Sequence, residues 1–143
     1  DTKTPTEDGI DLVKLINIIN QRVEFLLDKD HLIGHTFLKG VKNSKDLCGC
    51  FVDNIIPQLD EYFYGDMEKL QRVFGDNNSL TSKEDDEKII LDRKIGSEEL
   101  FGEDFGDYDD RKLYAVSEKL KNGTFASDAF IKIYESSDSA SDV

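Results

Sequence analysis

Both histidines of the chain lie close together, next to two aspartates. His31 and His35 are four positions apart, and Asp28 and Asp30 come just before them. On a continuous helix this spacing would bring both imidazoles to one metal ion. Gly34 interrupts such a helix, and no third histidine or glutamate motif completes a ligand set. The pattern therefore favours a histidine that stabilises the end of a helix, and no metal site is predicted.

Two other groups of reactive side chains also fail to match a known site. One is an acidic cluster of four aspartates, Asp104, Asp107, Asp109 and Asp110. It lacks the alternating ligands and the set glycine of a calcium loop, so a solvated loop is predicted. The other is the pair Cys48 and Cys50, whose thiols would diverge on a helix and are predicted to be buried small side chains. No phosphate-binding loop, nucleophile elbow or dinucleotide fingerprint occurs, and no catalytic residue is predicted.

The composition is that of a small acidic protein. The chain has 143 residues, a formal net charge of −13 and a hydrophobic content of 38%. This length suits one domain with a modest core. The negative surface repels phosphate backbones, so we expect no direct binding of nucleic acid, and a basic surface or a neighbouring subunit as partner. No apolar run is long enough to span a membrane, and the closely spaced cysteines fit a reducing cytoplasm.

Helical periodicity dominates the first half of the sequence. Apolar residues recur at helical spacing from Ile10 to Leu27, which predicts a core helix of about five turns with Asp8 as its N-cap. A second helix is predicted to begin with Ser44 as N-cap and to be kinked at Pro57. Between these helices, residues 35–38 alternate in polarity and predict a small extended segment.

A third helix and a small β element complete the prediction. The third helix is expected to start after Asp66 and to end before Gly75. Residues 76–87 are polar and acidic and predict a mobile loop. Two short apolar runs, 88–91 and 113–116, predict strands that pair, with a helical turn at 97–101 between them. Ser117 and Ser127 are predicted to cap two short last helices, and residues 136–143 a disordered tail.

Several of these segments together resemble a known family. The first comprises residues 10–17 and 20–37 and contains the core Ile33-Gly34-His35-Thr36-Phe37. The second comprises residues 55–70, with Pro57 and the run Glu61-Tyr62-Phe63, and continues to 74–76. A weaker third is 129–135. In order and spacing they resemble the C-terminal part of the McrB-type AAA+ GTPase domain, the motor subunit of modified-cytosine restriction systems.

The resemblance implies a fold class and a division into segments. The phosphate-binding loop, the magnesium-binding acidic strand and the arginine finger of such motors belong to the large AAA+ subdomain, which would precede Asp1. Residues 1–8 would then be a linker from that subdomain, and 9–75 a three-helix AAA+ lid-like bundle. Residues 76–135 would add the acidic loop, the β element and the C-terminal helices packed on the bundle. We therefore expect a mainly α fold, or α+β if the hairpin is extensive.

The resemblance also implies a function for particular residues. In such motors the lid closes over the base and sugar of GTP or ATP, bound with Mg²⁺, and contacts the next subunit of a ring, commonly a hexamer. An McrC-like endonuclease subunit would be a further partner. Ile33, Gly34 and His35 match the family core and would face the nucleotide, and Lys69 or Arg72 would sense its terminal phosphate. This chain alone would bind no cofactor and show no activity.

A second interpretation belongs to another functional class. The acidic composition also fits a free-standing protein-interaction module that binds a basic partner and never meets a nucleotide. Under that interpretation Lys69 and Arg72 are surface cations on an amphipathic helix. The two interpretations differ in what a substitution of His35 should do to nucleotide hydrolysis.

Overall fold

The chain is mainly helical and carries one small antiparallel hairpin, as the sequence predicts. The computed structural model describes residues 5–77, 83–103 and 111–141. The helices are α1 (Leu12–Leu26), α2 (Ser44–Cys50), α3 (Ile56–Tyr62), α4 (Met67–Phe74), α5 (Ser97–Phe101), α6 (Glu118–Asn122) and α7 (Ser127–Ser141). The strands are β1 (Ile90–Ile95) and β2 (Arg111–Val116). Among the helices described, none is long and apolar enough to span a lipid bilayer.

The first helix is capped by a different aspartate from the one predicted. The carboxylate of Asp11 accepts a hydrogen bond from the backbone N–H of Lys14 at 3.1 Å, so α1 begins at Leu12 and has 15 residues. Asp8 instead accepts from the backbone N–H of Ser44 at 2.9 Å. The prediction of Asp8 as N-cap was wrong, because its partner lies 36 residues along the chain and local spacing cannot reveal it.

The second helix continues through Pro57 by means of a π-helical turn. Asn43, and not Ser44 as predicted, caps α2, and its side chain accepts from the backbone N–H of Asp46 at 2.9 Å. The π-helical turn Phe51–Ile55 joins α2 to α3, and the N–H of Ile56 donates to the carbonyl of Phe51, five residues back. Pro57 has no N–H to donate, and the helix accommodates this with the wider turn just before it.

Two further local predictions have opposite outcomes. Asp66 caps α4, and Gly75 follows its end with a φ of +71°, both as predicted. Residues His35–Leu38 form a 3₁₀ turn, so the predicted extended segment was wrong. Alternating polarity does not separate a short strand from a single helical turn that buries one side chain, here Leu38.

The second half of the chain packs into the same core as the first. Phe51 contacts Phe74 and Phe130, with ring centroids 5.6 and 5.1 Å apart. The predicted pairing of the two strands is confirmed, and β1 pairs with β2 in the register Ile90↔Val116. Ser117 caps α6 as expected, but α7 is longer than expected and Ser127 is its first residue rather than its cap. The predicted disordered tail, 136–143, overlaps the last turns of this helix.

A buried ion pair connects the end of α4 to the hairpin. The carboxylate of Asp76 is buried and accepts hydrogen bonds from the backbone N–H groups of Ile89 and Ile90, at 2.9 and 2.8 Å. Lys83 donates to the same carboxylate at 3.1 Å and to the carbonyl of Phe74. Burial raises the pKa of Asp76 and lowers the pKa of Lys83, while their mutual attraction opposes both shifts. The predicted mobile loop, 76–87, therefore has packed residues on both sides of 78–82, which lie outside the described residues.

We expect Asp76→Ala to lower the free energy of unfolding by about 3–5 kcal/mol, because it leaves Lys83 buried without its counter-charge and two N–H groups without an acceptor. The measurement is chemical denaturation followed by circular dichroism. Asp85→Ala is the matched control. That carboxylate is 90% exposed and its ion pair among the described residues is with Lys88, so its loss should cost less than about 1 kcal/mol. Equal losses for the two variants would contradict the structural role of Asp76.

Candidate functional site

The turn that follows α1 is held by an amide side chain of that same helix. The Asn20 side chain accepts from the backbone N–H of Ile33 at 2.7 Å and donates to the carbonyl of Ile33 at 3.0 Å. The side chain of Ile33 is buried in the core. This segment is thus fixed both through its backbone and through its side chain, so Gly34 and His35 follow a rigid anchor.

The two histidines occupy different environments. His31 Nδ1 lies 2.6 Å from Asp28 Oδ1, and the His31 ring meets the Tyr62 ring edge-on with centroids 5.0 Å apart. His31 therefore stabilises the turn after α1 and connects it to the end of α3. The hydrogen bond from His31 holds the pKa of Asp28 below its ordinary value. His35 is exposed and begins the 3₁₀ turn.

Of the three residues predicted to face a nucleotide, only Gly34 and His35 lie on the surface. Ile33 is 2% exposed, so it can support this edge but cannot offer its side chain to a ligand. Gly34 has a φ of −77° and a ψ of 147°, which any residue adopts. A Cβ there would meet nothing closer than Thr36 Oγ1 at 3.6 Å. The fold does not require glycine at this position, and its absent side chain leaves the backbone beside His35 open.

The two predicted phosphate sensors lie on α4. Lys69 Nζ is 3.9 Å from Asp66 Oδ2, and Arg72 donates to Glu68 Oε1 at 2.9 Å; all four side chains are exposed. Arg72 also borders a surface cavity of about 410 Å³. The other lining residues of this cavity are Glu68, Gln71, Gly75, Asn77 and Lys112. In the part of the chain that the structure describes, no hydrogen bond, ion pair or ring contact joins these cations to His35.

Sequence reasoning missed two polar side chains that position α4, the half-buried Arg22 and the buried Gln71. The guanidinium of Arg22 reaches across from α1 and donates to the carbonyl of Val73 at 2.9 Å. Burial lowers the pKa of Arg22, and the attraction of Asp76 opposes this. Gln71 is buried on α4 and donates to the carbonyl of Ile90 and to Asp92 Oδ1. The sequence could have revealed them by their spacing, because a polar residue within the apolar stripe of a helix needs a buried partner.

The remaining candidate ligands do not converge. Cys48 and Cys50 are free and buried, as predicted, and burial raises the pKa of Cys50 to about 11. Within the described ranges 5–77, 83–103 and 111–141, no three His, Cys, Asp or Glu side chains gather where they could hold a metal ion. The acidic cluster at 104–110 lies outside these ranges. The predicted site residues on the described surface are therefore the imidazole of His35 beside the open backbone of Gly34, and the two cations Lys69 and Arg72 on α4.

Part of the chain matches a known family. The family model of the McrB alpha-helical lid domain matches residues 11–71. The matched segment contains α1, the Asn20-anchored turn, α2, α3 and the first part of α4. The resemblance to the McrB-type lid is therefore confirmed over this segment. No curated protein matches the chain.

We expect the Asp28 carboxyl to titrate below its ordinary pKa of 3.8 in the native protein, and His31→Ala to raise its pKa toward that value. The stabilisation from a lowered native pKa is present above the unfolded-state pKa and is lost as the pH falls through the native one. Carboxyl ¹³C NMR titration measures both variants. The pKa of Glu87, which Lys132 lowers elsewhere on the surface, should not change and serves as the control. An Asp28 pKa that is the same in both proteins would contradict the assigned contact.

Proposed function

From the match of residues 11–71 to the McrB alpha-helical lid domain, we propose that this chain is the lid of a McrB-like AAA+ motor that hydrolyses GTP or ATP. In this proposal the lid closes over the nucleotide and touches the neighbouring subunit of a ring, which in such motors is commonly a hexamer. The large AAA+ subdomain would supply the phosphate-binding loop and hold Mg²⁺, since this sequence contains no such loop. An McrC-like endonuclease subunit would be the partner in DNA restriction, and the cytoplasm the compartment.

The anchored turn after α1 supports a role for Gly34 and His35 at the base and sugar. Asn20 and the buried Ile33 fix the backbone before them, so the imidazole of His35 projects from a rigid edge. A rigid edge can make contacts that differ between the nucleotide states of the motor, and only such differential contacts convert hydrolysis into movement. The open backbone at Gly34 would let a planar ring approach closely.

The exposed cations of α4 support a role at the phosphates, and Arg72 is the better candidate. Its pair with Glu68 is a surface i, i+4 ion pair, worth only about 0.3–0.5 kcal/mol. A phosphate could therefore displace Glu68 at little cost. Arg72 borders the cavity of about 410 Å³, whereas Lys69 does not. Direct contact with nucleic acid is not part of the proposal, because the chain carries a formal net charge of −13.

We expect the chain alone to hydrolyse neither GTP nor ATP, and the complete motor to lose about tenfold in kcat/KM on His35→Ala. Loss of one hydrogen bond or stacking contact to the nucleotide, about 1.4 kcal/mol, gives this factor. Phosphate release is the measurement.

His31→Ala is the matched control for that experiment. It removes the other histidine, whose partners Asp28 and Tyr62 belong to the same chain, so it should lower the melting temperature. Because Asn20 and the buried Ile33 still hold the turn before His35, kcat/KM should stay within about twofold. If His35→Ala leaves hydrolysis unchanged, His35 does not face the nucleotide. If the complete protein also lacks hydrolysis, the free-standing interaction module is the better description.

A further inference from the structure

Large apolar side chains are exposed at one end of the helical bundle, which we call the apolar end. It is formed by Phe25, Leu27, Leu32 and Tyr64. Phe25 is 90% exposed and Tyr64 is 94% exposed, whereas Phe51, Phe74, Phe125 and Phe130 are fully buried in the core. An aromatic side chain left in water contributes no burial free energy to folding. Two of them at one end indicate a surface that is covered by something else.

These side chains come from two segments that the structure holds together. Phe25 is in the last turn of α1, three residues before Asp28. Asp28 contacts His31, and the ring of His31 contacts Tyr62, two residues before Tyr64. Leu32 follows His31 directly. The contacts from Asp28 through His31 to Tyr62 therefore place the end of α1 beside the end of α3.

The backbone of Tyr64 gives an independent reason to assign a role to its side chain. Its φ is +54°, and among the described residues no other non-glycine residue has a positive φ. This left-handed conformation is strained for a residue with a Cβ, and glycine adopts it freely. The ring is 94% exposed, so packing within the chain offsets little of the strain. The fold alone would favour glycine here, so the tyrosine is explained by a contact outside the chain.

The charges around the apolar end specify the chemistry of that contact. In residues 24–32 and 60–66 there is one lysine, Lys29. The acidic side chains of the same two segments are Glu24, Asp28, Asp30, Asp60, Glu61 and Asp66. Aromatic residues inside a charged rim are the usual anatomy of a protein–protein interface. Asp66 is paired with Lys69 and Asp28 contacts His31, but the four other carboxylates still outnumber Lys29. The rim is therefore negative, and the complementary surface is positive.

We propose that the apolar end binds a basic amphipathic segment of a protein partner, with apolar anchors against Phe25 and Tyr64 and Lys or Arg side chains on the acidic rim. A second copy of this chain would bring like charges together at a net charge of −13, and an anionic membrane would be repelled in the same way. The proposal concerns a surface next to the turn of Gly34 and His35, because Leu32 is two residues before Gly34, but it uses side chains that have no assigned role at the nucleotide. It goes beyond the proposed function and does not depend on it.

The test uses the complete chain and a defined probe. The probe is a helical peptide of about 18 residues, with Leu at positions i, i+3, i+4 and i+7 and Lys elsewhere. The same peptide with Glu in place of Lys is its control. Isothermal titration calorimetry should show binding of the Lys peptide that weakens with salt, and no binding of the Glu peptide. No binding of the Lys peptide up to about 1 mM overturns the proposal.

The decisive variant is Tyr64→Gly, because it separates binding from folding. It should raise the melting temperature by relieving the left-handed strain, and weaken peptide binding by about tenfold or more. Phe25→Ser should weaken binding similarly. Leu100→Ala is the matched control: Leu100 is 53% exposed on α5 in the hairpin, beyond the opposite end of α4, and its loss should leave binding unchanged.

Three other results overturn the proposal. The first is wild-type affinity in both Tyr64→Gly and Phe25→Ser. The second is self-association of the wild-type chain in analytical ultracentrifugation that these variants abolish, which would assign the apolar end to a second copy. The third is binding to vesicles of neutral phosphatidylcholine that the variants abolish, which would assign it to a membrane. None of these measurements involves a nucleotide, so failure here is distinguishable from failure of the lid proposal.

Discussion

The carboxylate of Asp76 fixes how the helical bundle and the hairpin meet. It accepts hydrogen bonds from the backbone N–H groups of Ile89 and Ile90, at the start of β1, and from the ammonium of Lys83. The guanidinium of Arg22 approaches it from α1. Glycine is favoured at position 75 beside it, because the φ there is +71° and a Cβ would lie 3.1 Å from Arg22 Nη1, which would have to move. Burying these charges costs free energy, which the opposed pKa shifts of Asp76 and Lys83 reflect. We infer that the network fixes the orientation of the hairpin on the bundle more than it adds net free energy of folding, although removal of one partner is costly.

Two amide side chains also join a helix to a later segment of the chain through buried hydrogen bonds. Asn20 on α1 pairs with both backbone groups of Ile33, and Gln71 on α4 donates to the carbonyl of Ile90. In each case a helix presents one polar side chain within its apolar stripe, and that side chain holds a later segment whose backbone groups would otherwise lack partners. The exposed turn at Gly34 and His35 owes its fixed position to the first of these contacts, and the second adds to the contacts of Asp76 with the hairpin.

This difference between local and distant contacts decides what the sequence could predict. The caps at Asp66 and Gly75 and the three main helices depend on neighbours a few residues away, and their prediction was right. The pairing of the two strands joins residues up to 26 positions apart, and it was predicted from two short apolar runs. Asp8 and Asp76 have partners 36 and 13 residues away, and both were misassigned. For the candidate site, spacing identified His31 and His35 as unusual. Only the contacts with Asp28 and Tyr62 separate a structural histidine from an exposed one.

The end of the family match at residue 71 is not a boundary of the folded structure. Phe51 lies inside the matched segment, yet it packs on Phe74 and Phe130, which both lie beyond it. The start of α1 is also held by a residue beyond the matched segment, since the N–H of Asp11 donates to the hydroxyl of Tyr134 at 3.0 Å. A chain cut after residue 71 would expose these aromatic contacts and lose the network around Asp76. The hairpin and the last helices are therefore structural parts of the same core, and any movement of the anchored turn relative to α4 must act against the packing of that core.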